Sequence, residues 1–105
     1  MSSHVFDRGA WAKLDVFNQM GNIGSEVGRA IAAKRQTKTE RSLSAFYRGM
    51  DLMNATVDAW VAQGRSPYEL LIAREQFAEV ILNDREDPTL EAYFMQFAMV
   101  ARANR

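Results

Sequence analysis

Apolar residues recur along this chain with the 3.6-residue period of a helix, and no window alternates in the two-residue rhythm of a strand. Turn and cap signals divide that pattern into four segments. "TKTE" (Thr37 to Glu40) has capping-box spacing, in which a threonine oxygen takes a free backbone N–H and a glutamate reaches back. "SPYE" (Ser66 to Glu69) repeats the spacing, with Pro67 at a first helical position where its missing N–H costs nothing. "DP" (Asp87, Pro88) marks a third start, and Gly64 stands where a helix end favours a left-handed residue. The signals predict helices at about 7–35, 38–63, 67–83 and 88–103. Short linkers make neighbouring helices antiparallel. The expected fold is all-α: an up-and-down four-helix bundle, a single domain over residues 1–105.

Stepping about 100° per residue sorts each helix into arcs. On the first, Val16, Met20, Ile23, Val27 and Ile31 form a core stripe, and Asp15, Asn18, Asn22, Glu26 and Arg29 form a wet face. A third arc holds Ala10, Leu14, Phe17, Gly21, Gly24, Ser25, Gly28 and Ala32. Each glycine costs about 1 kcal/mol against alanine inside a helix, so this arc needs a compensating contact or a helix break at "MGN". Small residues at this spacing let a second backbone approach closely.

The second helix repeats the theme. Leu43, Phe46, Met50, Met53, Val57, Trp60 and Val61 form its core stripe, and Ala45, Gly49, Leu52 and Thr56 a small second face. A hairpin turning near Gln36–Thr37 sets Gly24 opposite Gly49. The turn from core stripe to small face has opposite senses on the two helices. At least one small face therefore meets another helix or another subunit. The fourth helix carries Leu90, Tyr93, Phe94, Phe97 and Ala101 toward the core, with Ala92, Met95 and Met99 on its far side. Surplus apolar faces of this kind mark interfaces. They predict self-association, as a homodimer or higher homo-oligomer, through Leu14, Phe17, Gly21, Gly24, Gly28, Ala32, Gly49, Met95 and Met99.

Composition removes most chemistry. Of 105 residues none is cysteine, which excludes disulfides, thiolate catalysis and cysteine metal sites. The lone histidine, His4, lies ahead of the first helix, so neither a zinc set nor a Ser/His/Asp arrangement is expected. The di-iron bundle spacing Glu-x-x-His is absent. No cofactor and no metal are expected, and a non-enzymatic role is preferred. No apolar run reaches membrane-spanning length and "MSSHVFDRG" has no signal-type apolar core, so the expected location is cytoplasmic.

Thirteen basic and thirteen acidic residues cancel, yet they segregate. Arg29, Lys34, Arg35, Lys38 and Arg41 gather around the first turn, and Glu79, Asp84, Glu86, Asp87 and Glu91 around the third. In a bundle these turns share one end. The clusters either neutralise one another or leave a basic tip for the phosphates of a nucleic acid. Arg74 falls within the apolar stripe of the third helix. A buried guanidinium needs a partner, with Asp58, Glu91, Tyr47 and Asn54 as candidates; otherwise it serves an anion in a small-molecule sensor or enzyme.

The hairpin "NIGSEVGRAIAAKR" to "SAFYRGMDLMNATVDAW", with the chain's size and helix order, resembles small four-helix-bundle proteins of the ribosomal-RNA intervening-sequence type and the accessory proteins of diversity-generating retroelements. That resemblance implies homo-oligomers with basic surfaces facing nucleic acid, and it assigns no individual residues. The expected function is a helical interaction or scaffold module, with a protein partner or a second copy as its target.

Overall fold

Asp7 caps the first helical turn: its carboxylate accepts from the Ala10 N–H at 3.0 Å. The computed structural model describes residues 6–103. Among them are five helices and no strand: α1 (Arg8–Ala12), α2 (Val16–Arg35), α3 (Thr39–Ala62), α4 (Tyr68–Leu82) and α5 (Pro88–Ala103). His4 lies outside the described residues.

The helix expected over about 7–35 is two helices. Lys13 and Leu14 donate back to Ala10 and Trp11 and close α1. Asp15 then adopts an extended conformation and its carboxylate accepts from the Asn18 N–H at 2.8 Å and the Asn18 side chain at 3.0 Å. Apolar periodicity runs on through this break, whereas a carboxylate that can cap competes with the helical backbone locally. Gly21, Gly24 and Gly28 all lie inside α2, so "MGN" is not a breakpoint.

The later boundaries agree with the sequence to within a residue or two, although two caps differ. Thr37 does not cap α3; its own backbone is left-handed (φ 57°) and its hydroxyl donates to the Gln36 carbonyl. Helix α3 starts without a side-chain cap. Gly64 is left-handed at φ 78°, as its position predicts. Asp87 accepts from the Thr89 N–H at 3.1 Å at the expected start of α5. At α4 the expected capping box does not form: Pro67 is the residue before the first helical one, Ser66 accepts from the Tyr68 N–H at 3.3 Å, and the Glu69 carboxylate takes the Tyr93 hydroxyl instead of reaching back.

The α2 stripe of Met20, Ile23, Val27 and Ile31 is buried, as are Phe46, Met53 and Trp60 of α3, Leu70, Phe77 and Ile81 of α4, and Leu90 and Phe94 of α5. Val61, a core position in the sequence pattern, is exposed. Helix α2 is the hub: it packs on α3 along one side and on α5 along another, while α4 lies chiefly against α3 and α1 rides on α3. The radius of gyration is 13.6 Å, close to the roughly 13 Å of one compact globule of this length.

Candidate functional site

The glycine arc of α2 faces α5 of the same chain. A methyl placed on Gly24 would lie 2.7 Å from Phe94 Cβ, and one on Gly21 would lie 3.5 Å from Ala98 Cα. Glycine lets the two backbones close to this distance, and the buried Phe94 fills the space over Gly24. The small face of α3 turns elsewhere: a methyl on Gly49 would meet Phe77 Cε2 at 2.9 Å and Glu26 Cβ at 3.4 Å. The two small faces therefore do not meet each other: that of α2 lies against α5, and that of α3 against Phe77 of α4 and the Glu26 side chain of α2. Gly49, Ala45 and Thr56 are buried inside the chain. The second face of α3 is therefore unavailable to a second copy, which corrects its place among the expected interface residues.

Beyond Gly24 the arc opens. No atom lies within 4 Å of a methyl built on Gly28, and Ala32 is exposed. Gly21, Gly24, Ser25 and Gly28 floor a groove of about 200 Å³ whose other wall is Met95, Ala98 and Arg102 of α5, with Glu91 at its far end. Toward the start of α2 a second hollow of about 270 Å³ runs past Phe17 and Asn22 to Ala101 and Arg102. Met95 is 52% exposed and Met99 61%. Leu14 and Phe17 are also exposed, with the Phe17 ring 6.2 Å from that of Phe97. Phe17, Gly21, Gly24, Gly28 and Met95 therefore line the α2–α5 side, with Gly21 and Gly24 serving as its floor; Met99 is exposed on α5, and Leu14 is exposed in the link between α1 and α2.

The segregated charges meet. Lys34 pairs with Asp84 and also donates to the Ile81 carbonyl near the end of α4, and Arg35 lies 3.6 Å from Glu91. Arg29 pairs with Glu26 at 3.3 Å. The Lys34 and Arg35 contacts join the basic and acidic clusters, whereas Arg29 is paired within α2. Among the expected basic-tip residues Lys38 and Arg41 make no ion pair among the described residues; with Arg48 they line a shallow depression at the start of α3. Arg48 itself pairs with Glu26. Arg74 is half-buried and donates to Asn54 Oδ1 at 2.6 Å, one of the four candidate partners. Asp58 pairs instead with Arg8, and Glu91 with Arg35.

A buried polar network escaped the sequence pattern. The Trp60 indole donates to Gln19 Oε1 at 3.0 Å, and the Gln19 amide donates to the Trp11 carbonyl at 3.1 Å. The Trp11 indole donates to Thr56 Oγ1 at 2.8 Å, and Thr56 donates to the Leu52 carbonyl at 2.7 Å. This ties α1 to both α2 and α3. Every buried side-chain polar atom among the described residues has a partner, so the network is fully satisfied. The signal in the sequence was Gln19, a polar residue beside the core stripe of α2.

On the other side of α5, Tyr93 donates to Glu69 Oε1 at 3.2 Å. Burial, that hydrogen bond and the Glu69 charge together push the Tyr93 hydroxyl up to about 12. Among the described residues no cluster of histidine and carboxylate side chains could hold a metal, and no helix is long and apolar enough to cross a membrane. Comparison with protein-family models, with curated proteins and with solved structures gives no match.

Proposed function

We propose that this chain is a non-enzymatic helical interaction module that self-associates through the outer side of α2 and α5, on a single up-and-down bundle of α2 to α5. One observation carries the reading: the α2–α5 seam leaves a largely apolar groove open to solvent and walled in part by Met95, with Met99 one turn farther along α5, both more than half exposed. An isolated surface methionine needs no explanation. Two on successive turns beside a concave apolar floor make a surface that gains from being covered. The resemblance to homo-oligomeric four-helix proteins is in keeping with this. The test is sedimentation velocity across a wide concentration range. A concentration-dependent dimer that Met95→Glu and Met99→Glu together abolish, with helicity unchanged, supports the proposal. A wild type that stays monomeric at every concentration ends it.

A second reading concerns the turn before α3. Lys38 and Arg41 are exposed there without a carboxylate partner among the described residues, and such cations can hold phosphates in a salt-sensitive, sequence-blind way. Labelled RNA and DNA are titrated at low and high salt. Tight, salt-dependent binding lost in Lys38→Glu/Arg41→Glu favours this reading over self-association as the main role.

A further inference from the structure

We infer that the occupant of the α2–α5 groove is α5 of a second copy, antiparallel and related by a two-fold axis crossing α5 at the level of Gln96–Phe97. This rests on the self-association proposed above and specifies its geometry.

Glu91, Met95, Ala98, Met99 and Arg102 fall within an arc of about 100° on α5. Glu91 is in the first turn and Arg102 in the last. They stand three turns apart, about 16 Å along the axis. The groove beside α5 thus has an acidic end, an apolar middle and a basic end. An isologous two-fold contact brings a surface against its own reverse. Laid antiparallel along itself, this arc places Glu91 against the partner copy's Arg102, and Arg102 against the partner copy's Glu91. In the same register the Met95 and Met99 of each copy meet over the glycine floor. A parallel arrangement sets Glu91 against Glu91 and Arg102 against Arg102, so charge selects the antiparallel one.

The charges are available for this. The Glu91 carboxylate is held only by Arg35, at 3.6 Å, and that arginine is itself mostly exposed. Arg102 is exposed and makes no ion pair among the described residues. Placing an acid early and a base late on a helix also suits its dipole. Dipole compensation acts within one chain, so only association between chains separates the two explanations.

The experiment uses the full chain and three samples: Glu91→Lys, Arg102→Glu, and their equimolar mixture. In either variant alone, each two-fold contact sets like charges together twice, and the dimer should weaken by about tenfold or more. In the mixture, the lysine introduced in one chain faces the glutamate introduced in the other, and the second contact of the pair keeps its native Arg102 and Glu91. The mixture should therefore form a heterodimer close to wild-type strength, read by sedimentation and by mass. Circular dichroism confirms that each variant is folded. A wild type that dimerises while both variants dimerise equally well overturns the α5 geometry and leaves self-association standing. Variants that fall apart alone and stay apart when mixed also overturn it. A monomeric wild type overturns both.

Discussion

Gly24 and Gly28 stand one turn apart on the same face of α2, and their surroundings are opposite. Gly24 lies under Phe94 with no room for a methyl, while Gly28 has open space. Both cost the helix the same in propensity, about 1 kcal/mol each. Only Gly24 recovers that cost inside the chain, through the close seating of α5 and the dispersion contacts it permits. A small-residue stripe read from sequence therefore has two uses that periodicity alone cannot separate. One part lets a neighbouring helix in; the other remains as a recess.

The strongest way to break this contrast is to remove the wall over Gly24. Phe94 is 1% exposed and packs on Tyr93 as well as on α2. Phe94→Ala should cost about 3–5 kcal/mol, a large share of the total stability of a domain this size, measured by urea unfolding. Next comes the floor itself. Gly24→Ala must displace Phe94, an overpacking cost of about 1–3 kcal/mol, against about 1 kcal/mol gained in helix propensity. A lower melting temperature is expected, and a higher one would mean that α5 does not seat on Gly24.

Gly28→Ala sharpens the contrast from the other side. Within one chain the methyl meets nothing, so in the dilute monomer only propensity acts, and the gain should approach about 1 kcal/mol. That raises the melting temperature by roughly 4–8 °C for a chain of this size. The same substitution at Gly21, whose methyl makes ordinary contact with Ala98, should fall between the two.

The smallest effect lies on the side of α5 away from the groove. Tyr93 titrates at about 12 when folded, against 10.0 for an ordinary tyrosine. A group whose folded value is raised contributes its stability in full below the unfolded value and loses it as pH rises through the folded one. The contribution is therefore intact up to pH 10 and disappears between about 10 and 12. Tyrosinate absorbance should show a late ionisation step in the wild type that Tyr93→Phe removes. Tyr47 and Tyr68 are exposed and remain in both proteins.

The four long helices and their core stripes were legible because burial imposes the 3.6-residue period directly on residue type. Gly64 was legible because a left-handed backbone state selects glycine, whereas Pro67 marked the start of α4 but sits one residue ahead of its first helical position. Two features were hidden for a common reason. The break at Lys13–Asp15 and the network through Gln19 and Thr56 both depend on polar side chains bonding to particular neighbours, and a hydrophobic pattern counts such residues only as wet. Arg74 shows the limit from the other direction: its place in an apolar stripe was visible, but the pattern did not single out Asn54 among its candidate partners, nor show that Asp58 pairs with Arg8, a residue from a helix the pattern did not separate. In the seam, the opposite rotation senses correctly sent Gly24 and Gly49 to different partners, although nothing in the pattern said that Gly24 would meet Phe94 and Gly49 Phe77.

Both tryptophans of the chain belong to one hydrogen-bonded network, with Gln19 between them and Thr56 accepting from the Trp11 indole. Intrinsic fluorescence is therefore a local instrument in this protein: it observes the seat of α1 and the far end of α3, and little of the α2–α5 seam. If α1 leaves its seat before the long helices melt, emission will shift to the red while helicity holds. A mismatch between the two signals would then time the release of the first few residues, and coincident signals would show that α1 and the long helices let go as one cooperative unit.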